Sequence, residues 1–228
     1  STLLASSAAS DVYKRQISLG FVHDPRYLQP MSSSDNSSKR DRLQVADIES
    51  IIETEQRTGV YPMSWQSKLI WEFIKKNYRK HNDKVPTIYR DALKQNMANY
   101  MFVLQTILEL CPNRGEDFLI SAFLKPNYKY FAYSYQFNDK GEIIGKDNRH
   151  YTDRNQHETD RYKRIAIDSV YDYAEKENRN STQDLNPSEL QNLKLICNCI
   201  ESNEPDKVNK QRIVSLMESI EKRIISSL

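Results

Sequence analysis

Apolar positions recur along this chain in two rhythms, a spacing of three and four over most of its length and a strict alternation in one short stretch. The first rhythm marks amphipathic helices and the second a pleated strand. Val45, Ile48, Ile51 and Ile52 form a stripe that predicts a first helix near Leu43 to Arg57, stopped by Gly59. Ser64 suits the N-cap of a second helix, Trp65 to about Arg79. Its apolar side chains cover over half of its circumference and leave Lys68, Glu72 and Lys75 on a narrow exposed strip. Val85-Pro86-Thr87 opens the longest helix, which runs to Leu110 and is stopped by Pro112. Its second half, from Met97, is apolar nearly all round, which makes it the expected central core helix. Asp117 to Leu124 is a short apolar segment that fits a helical turn or a strand.

The alternation lies at Phe131, Tyr133, Tyr135 and Phe137, with Ala132, Ser134 and Gln136 between them. Asn138 to Gly141 then supplies a turn and Glu142 to Lys146 a shorter return strand, so a β-hairpin is expected over about 128–146. An isolated hairpin is marginal in water, and its aromatic face is expected to pack under the helices. Thr152 to Lys176 reads as the next helix, with Tyr162, Ile165, Ala166, Val170 and Tyr173 on one face. Beyond a polar linker, Asn186-Pro187 starts a helix carrying Leu190, Leu193, Cys197 and Ile200. A turn at Ser202 to Pro205 leads to Ile213, Met217, Ile220 and Ile224 on a last helix. The fold class expected is α+β, mainly α: a helical domain packed on a central β-hairpin, with a C-terminal helical hairpin. By segment, 42–177 is the helical domain with its hairpin and 186–228 the C-terminal helical hairpin. Residues 1–16 read as a sequencing or assembly artefact, because Asp11 to Gln16 is what a library transposon end encodes in translation. Residues 17–41 are expected to be a disordered N-terminal segment, Ser-rich and charged from Met31 onward, with Met31 a plausible start.

Composition narrows the function classes. Of 228 residues, 38% are hydrophobic and 28% charged. With a mean hydropathy of −0.76 and no apolar run of about 18 residues, no membrane span is expected. The net charge of +2 argues against a surface that grips nucleic acid everywhere and leaves room for a local basic patch. Only 5 Gly are present, and neither a dinucleotide-binding nor a P-loop glycine motif occurs, so no cofactor is implied. The three cysteines, Cys111, Cys197 and Cys199, suggest no disulfide framework, which fits an intracellular protein.

Two constellations carry candidate chemistry. From Lys68 to Lys94, eight Lys or Arg stand against three carboxylates, a local surplus of +5 that exceeds the charge of the whole chain. Within it, Lys75, Lys76, Arg79, Lys80 and Lys84 form a basic helix end able to meet phosphates, and Tyr128 and Tyr130 offer faces on which bases stack. Basic residues at a helix C-terminus also complement its dipole, which accounts for the same pattern without a ligand. The second constellation is His150, Asp153, His157 and Asp160, imidazole and carboxylate at helical spacing that can converge on a divalent metal. A helical wheel sets Asp153, His157 and Asp160 opposite the apolar stripe, where a solvated, salt-bridged face serves equally well. No H-E-x-x-H occurs, because Arg161 stands where its second His would be.

The residues carry no family signature, and the reading they favour is a non-enzymatic binding or assembly protein that contacts RNA or single-stranded DNA through the basic patch. A metal-dependent hydrolase using the His/Asp cluster is the alternative. A protein-interaction scaffold, joining a second copy or a partner helix through the C-terminal hairpin, is a further one.

Overall fold

The computed structural model describes residues 19–22, 24–27, 43–80, 85–124, 133–139, 142–148, 153–175 and 182–228. The α+β, mainly α class is what it shows: α1 (Val45–Thr58), α2 (Lys68–Asn77), α3 (Val85–Leu110), α4 (Gly115–Leu119), β1 (Tyr133–Phe137), β2 (Ile143–Asn148), α5 (Asp153–Glu175), α6 (Pro187–Glu201) and α7 (Asp206–Ser226). The strands pair as one two-stranded sheet. Among the described residues no helix is long and apolar enough to cross a membrane. The chain divides into two compact units. One comprises Ser1–Met97, Tyr135–Lys146 and Glu221–Leu228, and the other Ala98–Ser134 and Asp147–Ile220.

In the first unit, α1 ends as its sequence dictates. Gly59 takes the left-handed conformation at φ 67°, and its N–H returns to the Glu55 carbonyl. Ile48 and Ile51 are buried, whereas Val45, expected on the same stripe, is 38% exposed. The helix expected from Trp65 to Arg79 is split into a 3-10 turn, Trp65–Ser67, followed by α2. Ser64 precedes that turn but makes no side-chain cap. The split turns Ser67 inward, fully buried, where its Oγ accepts from Nδ2 of Asn96 at 3.0 Å. The same Asn96 amide donates to the Gln66 carbonyl at 2.6 Å.

Ser67 is thereby lost as a cap for α2, and a distant residue replaces it. Oε2 of Glu221, on α7, accepts from the backbone N–H of Leu69 at 2.8 Å and of Ile70 at 3.1 Å. These are the second and third helical positions, whose amides a capping side chain normally satisfies. Ile70, Trp71 and Ile74 are fully buried from this anchored start onward.

Within the 17–41 segment the structure describes 19–22 and 24–27, and residues 20 and 22 are hydrogen-bonded to residues 64 and 62. Val22 N donates to Pro62 O and Ser64 N to Gly20 O, each at 2.8 Å, around a bridge between Phe21 and Met63. Leu19 and Phe21 are buried, and Phe21 meets the Trp71 ring edge-on at 5.5 Å. Burial of two large apolar side chains offsets the entropy of ordering these few residues. Gly20 is required at the crossing, because its φ is +91° and an added Cβ would lie 2.6 Å from Ser67 Oγ.

In the second unit, Val103, Leu104 and Ile107 of α3 are buried, in agreement with the reading of its apolar second half. Asn99 is fully buried and exchanges two hydrogen bonds with Asp184, fixing the polar segment before α6. The stretch after Pro112 is helical, α4 continuing into a π-turn at Ile120–Leu124. Asn186 caps α6 in a reciprocal box with Glu189, and Ile213, Met217 and Ile220 of α7 are buried as expected. Among the described side chains of α5, Ile167 and Val170 are buried, while Ile165 is 43% exposed. Phe137, expected on the inward face of the hairpin, is also 43% exposed; alternation identifies the faces of a ribbon but not what covers them.

Two stability outcomes follow from these contacts. Glu221→Ala leaves the Leu69 and Ile70 amides without their acceptor and is expected to cost about 1–3 kcal/mol in chemical denaturation. Gly20→Ala is expected to cost on the order of 1–3 kcal/mol through its backbone conformation, and an unchanged denaturation midpoint would contradict the crossing described.

Candidate functional site

The strip Lys68, Glu72 and Lys75 falls at positions i, i+4 and i+7 of α2, so one face of a helix that buries Ile70, Trp71 and Ile74 is charged. It is not left to solvent. Because Gly59 reverses the chain at the end of α1, Tyr61 returns over this strip. Its hydroxyl donates to Glu72 Oε1 at 2.9 Å, and Lys68 Nζ and Lys75 Nζ stand 5.7 and 5.2 Å from its ring centre. Lys75 Nζ lies between two carboxylates, 2.8 Å from Glu72 and 3.2 Å from Glu55 of α1. A cleft of about 370 Å³ opens here, lined by Ile52, Glu55, Gln56, Gly59, Tyr61 and Lys75.

The electrostatics fix the protonation states. Partial burial would raise the Glu72 carboxyl, but hydrogen bonds from Lys75 and Tyr61 outweigh it and hold its pKa below the ordinary value. Burial likewise works against the Lys75 ammonium, and its bonds to Glu72 and Glu55 outweigh that and raise its pKa. The Tyr61 hydroxyl is raised by burial and then by Glu72. At neutral pH a cationic Lys75 and a neutral, donating Tyr61 therefore line the cleft, and an anionic Glu72 stands beside them. Tyr27 bonds to the Val60 carbonyl next to this turn, and burial with the nearby Glu55 charge pushes it up to about 12.

The basic helix end is present but less cationic than the chain order implied. Lys76 is exposed. Arg79 pairs with Glu49 at 3.1 Å, and Lys80 donates to Asn77 at 2.9 Å. The surplus of +5 was counted along α2 and α3, and folding brings Glu49 and Glu55 from α1 against it. Lys84, Tyr128, Tyr130 and His150 lie outside the described residues. Asp153 and His157 belong to α5, with side chains outside the description. Asp160 is exposed on α5, 3.7 Å from Lys163. Among the described residues, no group of three or more His, Cys, Asp or Glu side chains is placed to hold a metal ion. Sequence reasoning took Lys75 for a phosphate contact and missed Glu55, Tyr61 and Glu72 as its partners. The available signal was the charged strip on a helix whose remaining surface is apolar.

The model of a family described as Type II restriction endonuclease (RE_Alw26IDE) matches residues 6–226, and the chain belongs to that family. No curated protein and no solved structure matches it. Membership corrects the reading of a non-enzymatic binding or assembly protein, since a match over nearly the whole chain points to a nuclease. It bears out the expectation of nucleic acid as partner at the level of DNA.

The cleft also sets a pH dependence. Glu72 has a folded pKa below its ordinary 4.5, so its contribution to stability is present above that value and is lost as pH falls through the folded pKa. The Lys75 contribution is complete below its ordinary 10.5 and is lost only as pH rises through its raised value. Denaturation midpoints are expected to stay level through neutrality and fall in acid, with a shallower acid fall in Glu72→Gln. An identical acid fall in both proteins would remove Glu72 from the balance.

Proposed function

We propose that the chain acts in the cell as an endonuclease on duplex DNA, with the cleft at Glu55, Tyr61 and Lys75, and Glu72 beside it, as its hydrolytic centre. The family match over residues 6–226 carries the activity, and the arrangement of the cleft supports the location. Phosphodiester hydrolysis adds water to phosphorus, breaks the bond to one sugar oxygen and leaves that oxygen protonated. Such reactions gain most from fixed charge placed where charge develops.

The residues of the cleft divide this work by their protonation states. Lys75, held charged by two carboxylates, has no lone pair with which to take a proton and serves as a fixed cation facing a phosphate oxygen. Glu72 stays ionised, one of its oxygens engaged by Tyr61, and can accept a proton from water. Tyr61 remains a donor and orients that carboxylate. Exposed Lys76 on α2 and exposed Lys80 just after it, beyond the cleft, add charge that draws the DNA backbone.

Divalent cations are the usual partners of carboxylates in this chemistry, but Lys75 Nζ already stands between Glu55 and Glu72, so this pair does not fit such an ion and no step is drawn through one.

The test is conversion of supercoiled plasmid to nicked or linear forms by the full chain with magnesium. Glu72→Gln is expected to lower the rate by about 100-fold or more, with the helical circular dichroism spectrum retained. An equal rate in the variant would remove the cleft from catalysis, and wild-type protein that neither binds nor cuts duplex DNA would contradict the function.

A further inference from the structure

The acidic oxygens at the cleft are already engaged by a cation of the chain's own. Lys75 Nζ donates to both oxygens of Glu55, Oε1 at 3.2 Å and Oε2 at 3.3 Å, and stands 2.8 Å from Glu72 Oε1. That same Glu72 oxygen accepts from the Tyr61 hydroxyl at 2.9 Å. Each carboxylate oxygen offers about two acceptor sites, so both sites of this one are filled. Glu55 comes from α1 and Glu72 from α2, and the two charges converge on one nitrogen.

The surrounding charges do not add to the acidic side. Lys68 Nζ lies 5.7 Å from the centre of the Tyr61 ring, and the charge of Lys76 reaches Glu72. Glu221, whose charge reaches Tyr61, is committed to the Leu69 and Ile70 amides. On the side of Tyr27, Asp24 and Arg26 neutralise each other at 2.6 Å. An ion of the magnesium type binds oxygen at about 2.0–2.1 Å and one of the calcium type at about 2.3–2.6 Å. To share the Glu55 and Glu72 oxygens, either would take them from the ammonium and stand beside it, cation against cation in a partly enclosed cleft where such repulsion is weakly screened.

We infer that Lys75 closes this cleft to divalent cations: its ammonium holds the cation position between Glu55 and Glu72, and supplies the positive charge on which hydrolysis here draws. The exclusion stands on the geometry of the three side chains, while the hydrolytic role of the ammonium rests on the function proposed above. Tethered to α2, this charge is present whatever the concentration of free ions. Removing it leaves the Glu55 and Glu72 oxygens with no cation between them, beside a cleft of about 370 Å³, a donor set that a divalent cation completes with water.

The full chain and its Lys75→Ala variant are titrated with Mn²⁺, and paramagnetic broadening of the backbone amide signals is read residue by residue. In wild type the amides of Gly59, Tyr61 and Lys75 are expected to stay sharp. In Lys75→Ala the amides at positions 59, 61 and 75 should broaden at Mn²⁺ concentrations about tenfold or more lower, and Lys75→Ala/Glu72→Gln should lose that gain. Lys75→Met, which keeps an apolar stem and removes the charge, is the second variant should the alanine disturb the fold. Wild-type amides that broaden as readily as those of Lys75→Ala, and sharpen again in Glu72→Gln, would overturn the exclusion. Amides that stay sharp in wild type and in both folded lysine variants would overturn it too, because the position would then hold no cation but lysine. Plasmid cleavage by the same wild-type preparation separates the two readings. Glu72-dependent cutting together with Mn²⁺ bound at the cleft removes the inference and leaves the function; exclusion of Mn²⁺ without any binding or cutting of duplex DNA removes the function and the role in hydrolysis, and leaves the lysine as a structural cation.

Discussion

The carboxylate of Glu221 at the start of α2 is the contact on which the first unit depends. A helix begins with amides that have no partner within the helix, and the residue before it normally satisfies them. Here Ser67 is committed to Asn96, so the two amides of Leu69 and Ile70 are met by a residue about 150 positions away in the chain. Glu221 is 1% exposed, and a buried carboxylate is tolerated only where hydrogen bonds replace its water. The positive end of a helix dipole and two N–H donors supply that replacement. The last eight residues of the chain thus belong to the same compact unit as α1 and α2.

With its start pinned, α2 buries Ile70, Trp71 and Ile74 and turns the Lys68, Glu72 and Lys75 strip toward Tyr61 and Glu55. Opposite charges at 2.8 to 3.2 Å in a partly enclosed cleft hold each other ionised. This converts a helix face that would otherwise be only solvated into one where a fixed cation is flanked by anions. Membership of a restriction endonuclease family gives that arrangement a chemical context.

Local signals made most of the helices legible. Gly59 stops α1, Asn186-Pro187 starts α6, and the apolar second half of α3 is buried from Val103 to Ile107. What the sequence hid is long-range. Nothing local marks Glu221 as a cap for a helix so far upstream, and nothing on α2 announces that Glu55 will neutralise Lys75. Residues 19–22 carry apolar side chains at positions 19 and 21, an alternation too short to announce an extended segment by itself. Exposure of Phe137 depends on what stands beside the hairpin, which alternation cannot encode. The family was not legible either. It is spread across the chain as a pattern of positions, with no glycine loop or histidine pair to concentrate it in one motif.

Amide hydrogen exchange of α2 in the native protein tests the central claim most directly, because it reads the two capped amides individually. The account predicts that Leu69 and Ile70 exchange as slowly as Trp71 and Ile74 inside the helix. Rapid exchange at Leu69 and Ile70, as at an uncapped helix start, would contradict it.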